Sequence, residues 1–490
     1  MSSSSSENVI RKTKTATKFS VAAELLTKII VPVNNMILAR ILAPEAFGAI
    51  ATILVITSFT DIFTDAGFQK YLIQQEFDSE DDFKKHTNVA FIANLAASLL
   101  FWAVISIFST PLAKALGNET LDFAIIIALL QLPITAFSSI QTAVFRRALN
   151  FKILLISRVA VALTPLIITV PLALLGFDYW SLVIGNLAGK IISAIILTVK
   201  SPWKPTFYFD FQVLKSMLSK SMMLMLETIS KWFCDYYDII IIGAFISQYY
   251  LGLYRNSYQM VNSILTLFSV SMIPVLLSSL SKLTRDSAKF HEVYSSFQKT
   301  LAYILLPLGF GMMFYRGLAV DIILGDQWSE AANIFGVVAI SLAIKLIFVD
   351  VINTIFIAKG RPKLSVAMNF LYLLIVTPIT IWAAKEQNFW TYLYIKNILV
   401  LVYIGTGLLL VKKYHIIKAS NLLKNIVKPL FATATMSCFI LIAKHFLPAT
   451  TGFEILSIGI SIVIYLGVAL LIDRNFFKKW LKSPKKIQRN

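Results

Sequence analysis

The sequence predicts an all-α polytopic membrane protein of about fourteen transmembrane helices, and three observations carry that reading. The 490-residue chain is 57% hydrophobic and 14% charged, whereas soluble domains are roughly a quarter charged. Its apolar residues fall in blocks of about 20 or more, the length that crosses ~30 Å of hydrocarbon as a helix. Its net charge of +19 gathers in short loops between those blocks. That is the topogenic pattern of a membrane protein and not of a nucleic-acid module. Helices are required because hydrocarbon offers free backbone groups no partner.

Taken in order, the polar, basic opening MSSSSSENVIRKTKTATK reads as a disordered cytoplasmic tail. The apolar block after it is too long for a signal-peptide core and ends in no small-residue cleavage site, so it is the first span. Further blocks begin near residues 46, 87, 119, 152, 177, 215, 249, 296, 329, 364, 390, 422 and 453. Alternate loops hold 32 Lys and Arg on one side and 4 on the other, which predicts both termini on the cytoplasmic side. The outer loops are short, the longest running from about Arg316 to Trp328. Little chain is left there for the catalytic site of a glycan polymerase or ligase, so no enzyme is expected.

Cys234 and Cys438 lie far apart in apolar blocks, and the four histidines are scattered. Neither a disulfide framework nor a metal site is expected. No phosphate-binding loop of the form GxxxxGK[ST] occurs, so ATP hydrolysis is not expected. A repeat relates ARILAPEAFGAI (Ala39 to Ile50) to GAFISQYYLGLY (Gly243 to Tyr254), with Gly48 matching Gly252. IQTAVFRRALNFK (Ile140 to Lys152) likewise matches INTIFIAKGRPKL (Ile352 to Leu364). Six spans separate the copies, so the halves keep one orientation, as in transporters built from parallel repeats.

The stretch ETISKWFCDYYD places Glu227, Lys231, Asp235 and Asp238 within about 80° on one face of the seventh helix. A charge at mid-bilayer costs roughly 2.5–3.5 kcal/mol on insertion scales, so the stripe must face protein or water. Two readings stand: an ion pair of Lys231 with Glu227 and Asp235, or a hydrated cavity. Glu24 and Lys28, also four residues apart on the equivalent first helix, favour the cavity. Asp61 and Asp65 share a face near the cytoplasmic end of the second span and read as a solvated helix end or a gate. Other deep or outer basic residues are Arg40, Lys190, Arg255, Lys345 and Lys396, while Arg158 and Lys428 are expected to snorkel.

The turn LARILAPEAFG followed by DAGFQKYLIQ resembles the opening of bacterial polysaccharide flippases. FRRALNFK, DYYDIIIIGAFISQYYLGLYRNSYQM, ILGDQWSEAANIFGVVAI and IAKGRPKLS resemble later blocks in the same order. Together they resemble the Wzx-type, WzxC-like branch of the MATE-like flippase superfamily. The resemblance implies two pseudo-symmetric six-helix lobes around a V-shaped cavity, plus two C-terminal helices. The expected organisation is a tail 1–18, lobes 19–200 and 215–411 joined by linker 201–214, two helices over 412–473, and a basic tail 474–490.

The resemblance also implies translocation of an undecaprenyl-diphosphate-linked oligosaccharide across the bacterial plasma membrane, with glycan polymerase or chain-length machinery as partners. By motif match Arg40 is the arginine of the first turn, and Asp65 and Gly67 end the second helix. Lys28, Arg40, Lys231 and Arg255 are the cationic candidates for the cavity. Glu24, Asp61, Asp65, Glu227, Asp235 and Asp238 are the candidates for ion coupling or gating. No cofactor is expected beyond exchange of H+ or Na+. A MATE-type drug antiporter is the alternative function.

Overall fold

The computed structural model describes residues 19, 22, 26–65, 67–386, 388–446 and 450–482. Among these the secondary structure is helical with no strand. We label the long helical segments α1 (residues 26–41), α2 (Pro44–Asp65), α3 (Glu80–Ile107), α4 (Glu119–Arg147), α5 (Phe151–Leu174) and α6 (Asp178–Lys200). They continue as α7 (Phe211–Phe245), α8 (Gln248–Lys282), α9 (Ser287–Phe314), α10 (Ala331–Ala358), α11 (Pro362–Lys385), α12 (Phe389–Lys413), α13 (Ala419–Phe446) and α14 (Thr451–Ile472).

Among the described residues, 11 helices are long and apolar enough to cross a membrane, or 12 if the bent α8 counts as one span. The two remaining expected spans fall on α1, described only from residue 26, and on α7, whose polar stripe breaks its apolar run. The count of fourteen is therefore a count of helical segments, and composition marks 11 to 12 of them as spans.

Helix starts follow their caps. Ser79 accepts from the Asp82 amide at 3.1 Å, and Glu80, Asp81 and Asp82 occupy the positive end of α3. Asp210 accepts from the amide of Gln212 at 2.8 Å to start α7. Asp286 accepts from that of Lys289 at 3.0 Å to start α9. These polar first turns explain why α3 and α9 begin several residues before their apolar blocks. Gly67 sits at φ 78°, where a side chain would be strained, and turns the chain from α2 into the short helix Phe68–Gln74. That requirement accounts for the glycine in the DAGF motif. Pro165 opens a π segment, Pro165–Thr169, inside α5. A second π segment, Leu346–Asp350, interrupts α10 between Lys345 and Val351.

Contacts divide the chain into one compact unit of residues up to Arg255 with Ala384–Phe389, and another of Asn256–Ala383 with Trp390 onward. This division falls inside α8, and the expected linker 201–214 lies within the first unit. The reason lies in how α7 and the start of α8 pack. The α7–α8 turn lies on the α1–α2 turn through the two repeat-matched glycines. A Cβ on Gly252 would stand 1.7 Å from the Pro44 carbonyl oxygen, and one on Gly48 would stand 2.2 Å from that of Gln248. Trp232 of α7 donates to Ser58 Oγ of α2 at 2.9 Å. The linker is itself packed: Trp203 is buried against Phe91, and the Thr206 amide donates to Asn88 Oδ1 at 3.2 Å.

In the second unit α9 packs on α10 and α13, and α13 on α14. Asp473, just past α14, is 6% exposed. It lies 2.8 Å from Lys428 Nζ and 3.9 Å from Lys299 Nζ, and accepts from Tyr303 Oη at 3.3 Å. Lys428 thus pairs with a carboxylate where the sequence suggested snorkelling to the interface.

Candidate functional site

The first unit holds a polar cavity of about 300 Å³. Five elements supply its described lining. Helix α4 supplies a hydroxyl wall of Thr135, Ser138, Ser139 and Thr142. Their spacing of i, i+3, i+4 and i+7 puts all four on one helix face. Helix α6 supplies Lys190 midway along its length, with Ser193 one turn later. Asp61 comes from the end of α2, Gln69 from the short helix after it, and Asn94 from the middle of α3.

The wall's hydrogens are largely committed. Thr135 donates to Leu132 O at 2.9 Å, Ser138 to Thr135 O at 3.2 Å, and Thr142 to Ser138 O at 2.7 Å. Each of those hydroxyls therefore offers the cavity lone pairs and not a proton. Gln69 Nε2 donates to Ser139 Oγ at 3.0 Å, and Ser193 shares a hydrogen bond with Ser157 at 3.0 Å. Among the described residues no carboxylate lies within ion-pair distance of Lys190 Nζ. Its charge is carried in the middle of an otherwise apolar helix by the polar cavity.

A second polar locus lies where α7 meets α8. Asp238 is 5% exposed. It accepts from Tyr254 Oη at 2.5 Å and from the Ile239 amide at 2.9 Å. The Arg255 guanidinium stands 5.6 Å from the Tyr236 ring centroid, and Tyr236 stacks on Trp232 at 5.1 Å. Consecutive residues of α8 thus reach α7: Tyr254 holds Asp238 of the stripe, and Arg255 stands over Tyr236 beside it.

The sequence candidates distribute as follows. Asp61 lines the cavity. Glu227 and Asp235 are half-buried, and Lys231 is exposed. Lys231 makes no ion pair among the described residues, so the Glu227–Lys231–Asp235 pairing is not formed. Lys28 is half-buried on α1, and Arg40 is exposed at its end. Asp65 is the last residue of α2, with its side chain outside the description, and Glu24 lies outside the described residues. Lys28, Arg40, Lys231 and Arg255 are not among the cavity's described lining residues. Sequence reasoning gave no role to Lys190 and passed over the hydroxyls of α4. The signal present was the helical spacing of Thr and Ser in ITAFSSIQT.

Residues 37–333 match the family described as "Polysaccharide biosynthesis protein". The succinoglycan biosynthesis transport protein ExoT of Rhizobium meliloti (strain 1021) is 24% identical over 308 residues. That alignment spans 63% of this chain and 62% of ExoT, less than two thirds of the relative's length. The lipopolysaccharide biosynthesis protein WzxC of Escherichia coli (strain K12) is 19% identical over 365 residues, covering 73% of this chain and 72% of WzxC. Among solved structures, the lipid II flippase MurJ in an inward closed conformation superposes with a TM-score of 0.72 at 15% identity. It covers 94% of this chain and 99% of that one. At that identity the likeness is one of fold. It agrees with the all-α, many-helix architecture read from the sequence, and the relatives agree with the WzxC-like resemblance.

Proposed function

The chain belongs to the polysaccharide biosynthesis protein family, whose match covers more than half of it, and from that premise we propose that it is a lipid-linked oligosaccharide flippase. The cargo we infer is an undecaprenyl-diphosphate-linked repeat unit, moved from the cytoplasmic to the outer leaflet of a bacterial plasma membrane. The observation that carries the reading is the polar cavity with Asp61 and Lys190 inside an apolar helical unit. Hydrocarbon excludes hydrated sugars and diphosphate alike. A protein that moves them needs polar surface among its apolar helices, and the cavity of the first unit offers it.

Lys28, Arg40, Lys231 and Arg255 are the groups assigned to screen the diphosphate, while the lipid tail stays in the bilayer. Both termini would lie on the cytoplasmic side, where basic loops would gather anionic head groups. Moving two negative charges outward across an inside-negative potential of about 100 mV gains roughly 4–5 kcal/mol. Alternating access driven by that potential, or by H+ or Na+ exchange at Asp235 and Asp238, would complete the cycle. Glycan polymerase or chain-length machinery would take the product.

The test is mass spectrometry of lipid-linked oligosaccharides, with leaflet assignment, in cells lacking the protein and in cells restored with wild type or Lys231→Ala. A polyprenyl-diphosphate oligosaccharide should accumulate on the cytoplasmic leaflet and be cleared by wild type, with clearance slowed in the variant. If no such lipid accumulates without the protein, the flippase reading is wrong.

A further inference from the structure

We propose that the cavity of the first unit is a saccharide subsite, a place that takes one neutral sugar ring of the cargo through its hydroxyl groups and does not take the diphosphate. This rests on the flippase reading and assigns the cavity a ligand class within it.

The donors and acceptors of the lining decide which ligand fits. Thr135, Ser138 and Thr142 have given their hydrogens to carbonyls of their own helix. What they present is a row of lone pairs, and the Asp61 carboxylate adds acceptors to the same space. A phosphate is acceptor-only at its ionised oxygens, so it would meet this wall lone pair to lone pair. A sugar ring carries O–H donors around its edge that match the wall. Its hydroxyl oxygens accept in turn from Lys190, the cationic group among the described lining residues. An alkali cation would also suit the lone pairs, but it would share about 300 Å³ with the Lys190 ammonium. That volume lies at the small end of ligand pockets, roughly 300–1,000 Å³, and fits a single ring.

The experiment is saturation-transfer NMR on the full chain in lipid nanodiscs. The probes are methyl glycosides of glucose, galactose and mannose, with inorganic phosphate and NaCl as competitors. At least one glycoside should be saturated by wild type, and phosphate and sodium should not displace it. Ser138→Ala with Thr142→Val removes two acceptors while keeping shape, and should weaken that glycoside about tenfold. Thr300→Val, the same change at a hydroxyl of α9 bonded to Ser296, should leave it within twofold. Lys190→Gln removes the charge but keeps a donor and should weaken the glycoside only about threefold, less than the double variant, and a thermal midpoint of the double variant equal to that of wild type excludes a loss caused by misfolding.

Displacement of the glycoside by phosphate, together with loss of binding in Lys190→Gln, would make the cavity an anion site and overturn the proposal. So would equal saturation of wild type and the double variant, or no saturation of any glycoside by wild type. Leaflet-resolved translocation in the same nanodiscs separates the two levels. Translocation without glycoside saturation overturns the subsite alone. Glycoside saturation without translocation by wild type overturns the flippase reading and leaves a sugar-binding cavity.

Discussion

Replacing Gly252 by alanine tests whether the contact between the α1–α2 and α7–α8 turns is needed for transport. The new Cβ would stand 1.7 Å from Pro44 O, 2.6 Å from the Pro44 carbonyl carbon and 3.0 Å from the Gly48 amide nitrogen. Ordinary contact begins near 3.4 Å, so the two turns must part by about 1.7 Å. The obstructing atoms are backbone, which cannot rotate away as a side-chain end would. Overpacking of this kind costs about 1–3 kcal/mol. If the turns must meet in one state of the cycle and separate in another, that cost shifts the balance by about 5–150-fold toward the separated state. The assay is maleimide labelling of Ala46→Cys, placed in a background with Cys234 and Cys438 replaced. Ala46 is 1% exposed in the joined arrangement, so its labelling rate should rise in the Gly252→Ala chain by that factor while cargo export falls. Gly459→Ala is the control, because nothing lies within 4 Å of a Cβ there. Unchanged labelling and unchanged export in Gly252→Ala would refute the reasoning, since the backbone would then have absorbed the methyl group without moving the turns.

Three further outcomes follow from the polar contacts. Tyr254→Phe removes a donor from the buried Asp238 carboxylate and should cost about 1–3 kcal/mol, read as a lower thermal midpoint in lipid-supplemented detergent; an unchanged midpoint would show that the carboxylate is satisfied elsewhere. Asp473→Asn should release Lys428 and Lys299 from the end of α14 and speed proteolysis of the C-terminal segment, whereas the same substitution at exposed Asp326 should not. Asp286 is held below the usual carboxylate range by the Lys289 amide it caps. Its stabilisation of the α9 start is therefore present above the unfolded carboxyl value and lost as pH falls through the lower folded one. Amide exchange at Lys289 should accelerate on that descent and show no such step in Asp286→Asn.

The spans were legible because hydrophobic block length maps directly onto bilayer thickness, so twelve of the fourteen expected segments coincide with long helices of span-like composition when the bent α8 is included. Lys231 was legible as a charge, but its lack of an ion pair among the described residues was not. An i, i+4 spacing shows which side chains can meet, not which do. Asp238, by contrast, found Tyr254, sixteen residues away across a turn, and helical periodicity carries no information at that range. The α4 wall was missed for a different reason. Ser and Thr bonded to their own helix carbonyls are close to neutral in a hydropathy count, so the stripe leaves no dip in the apolar block.

Lys190 sets the remaining constraint on how such a unit can work. Its ammonium sits midway along α6 without an ion-pair partner among the described residues. On insertion scales an unsolvated charge there costs roughly 2.5–3.5 kcal/mol. Water or ligand hydroxyls in the cavity remove that cost, and collapse of the cavity would restore it. A cycle that emptied and closed this space would therefore carry a penalty of that size at every turn. The cavity is better kept as a fixed, always-wet recess whose water is exchanged for cargo hydroxyls, with opening and closing assigned to contacts that carry no charge. The Gly48–Gly252 contact is of that kind: it brings backbone against backbone and leaves no ion behind when it parts. On this division of labour, Lys190→Leu should preserve the labelling behaviour of Ala46→Cys while lowering export, because it dries the recess without touching the turns. A change in Ala46→Cys labelling caused by Lys190→Leu would show instead that the recess and the turns move as one.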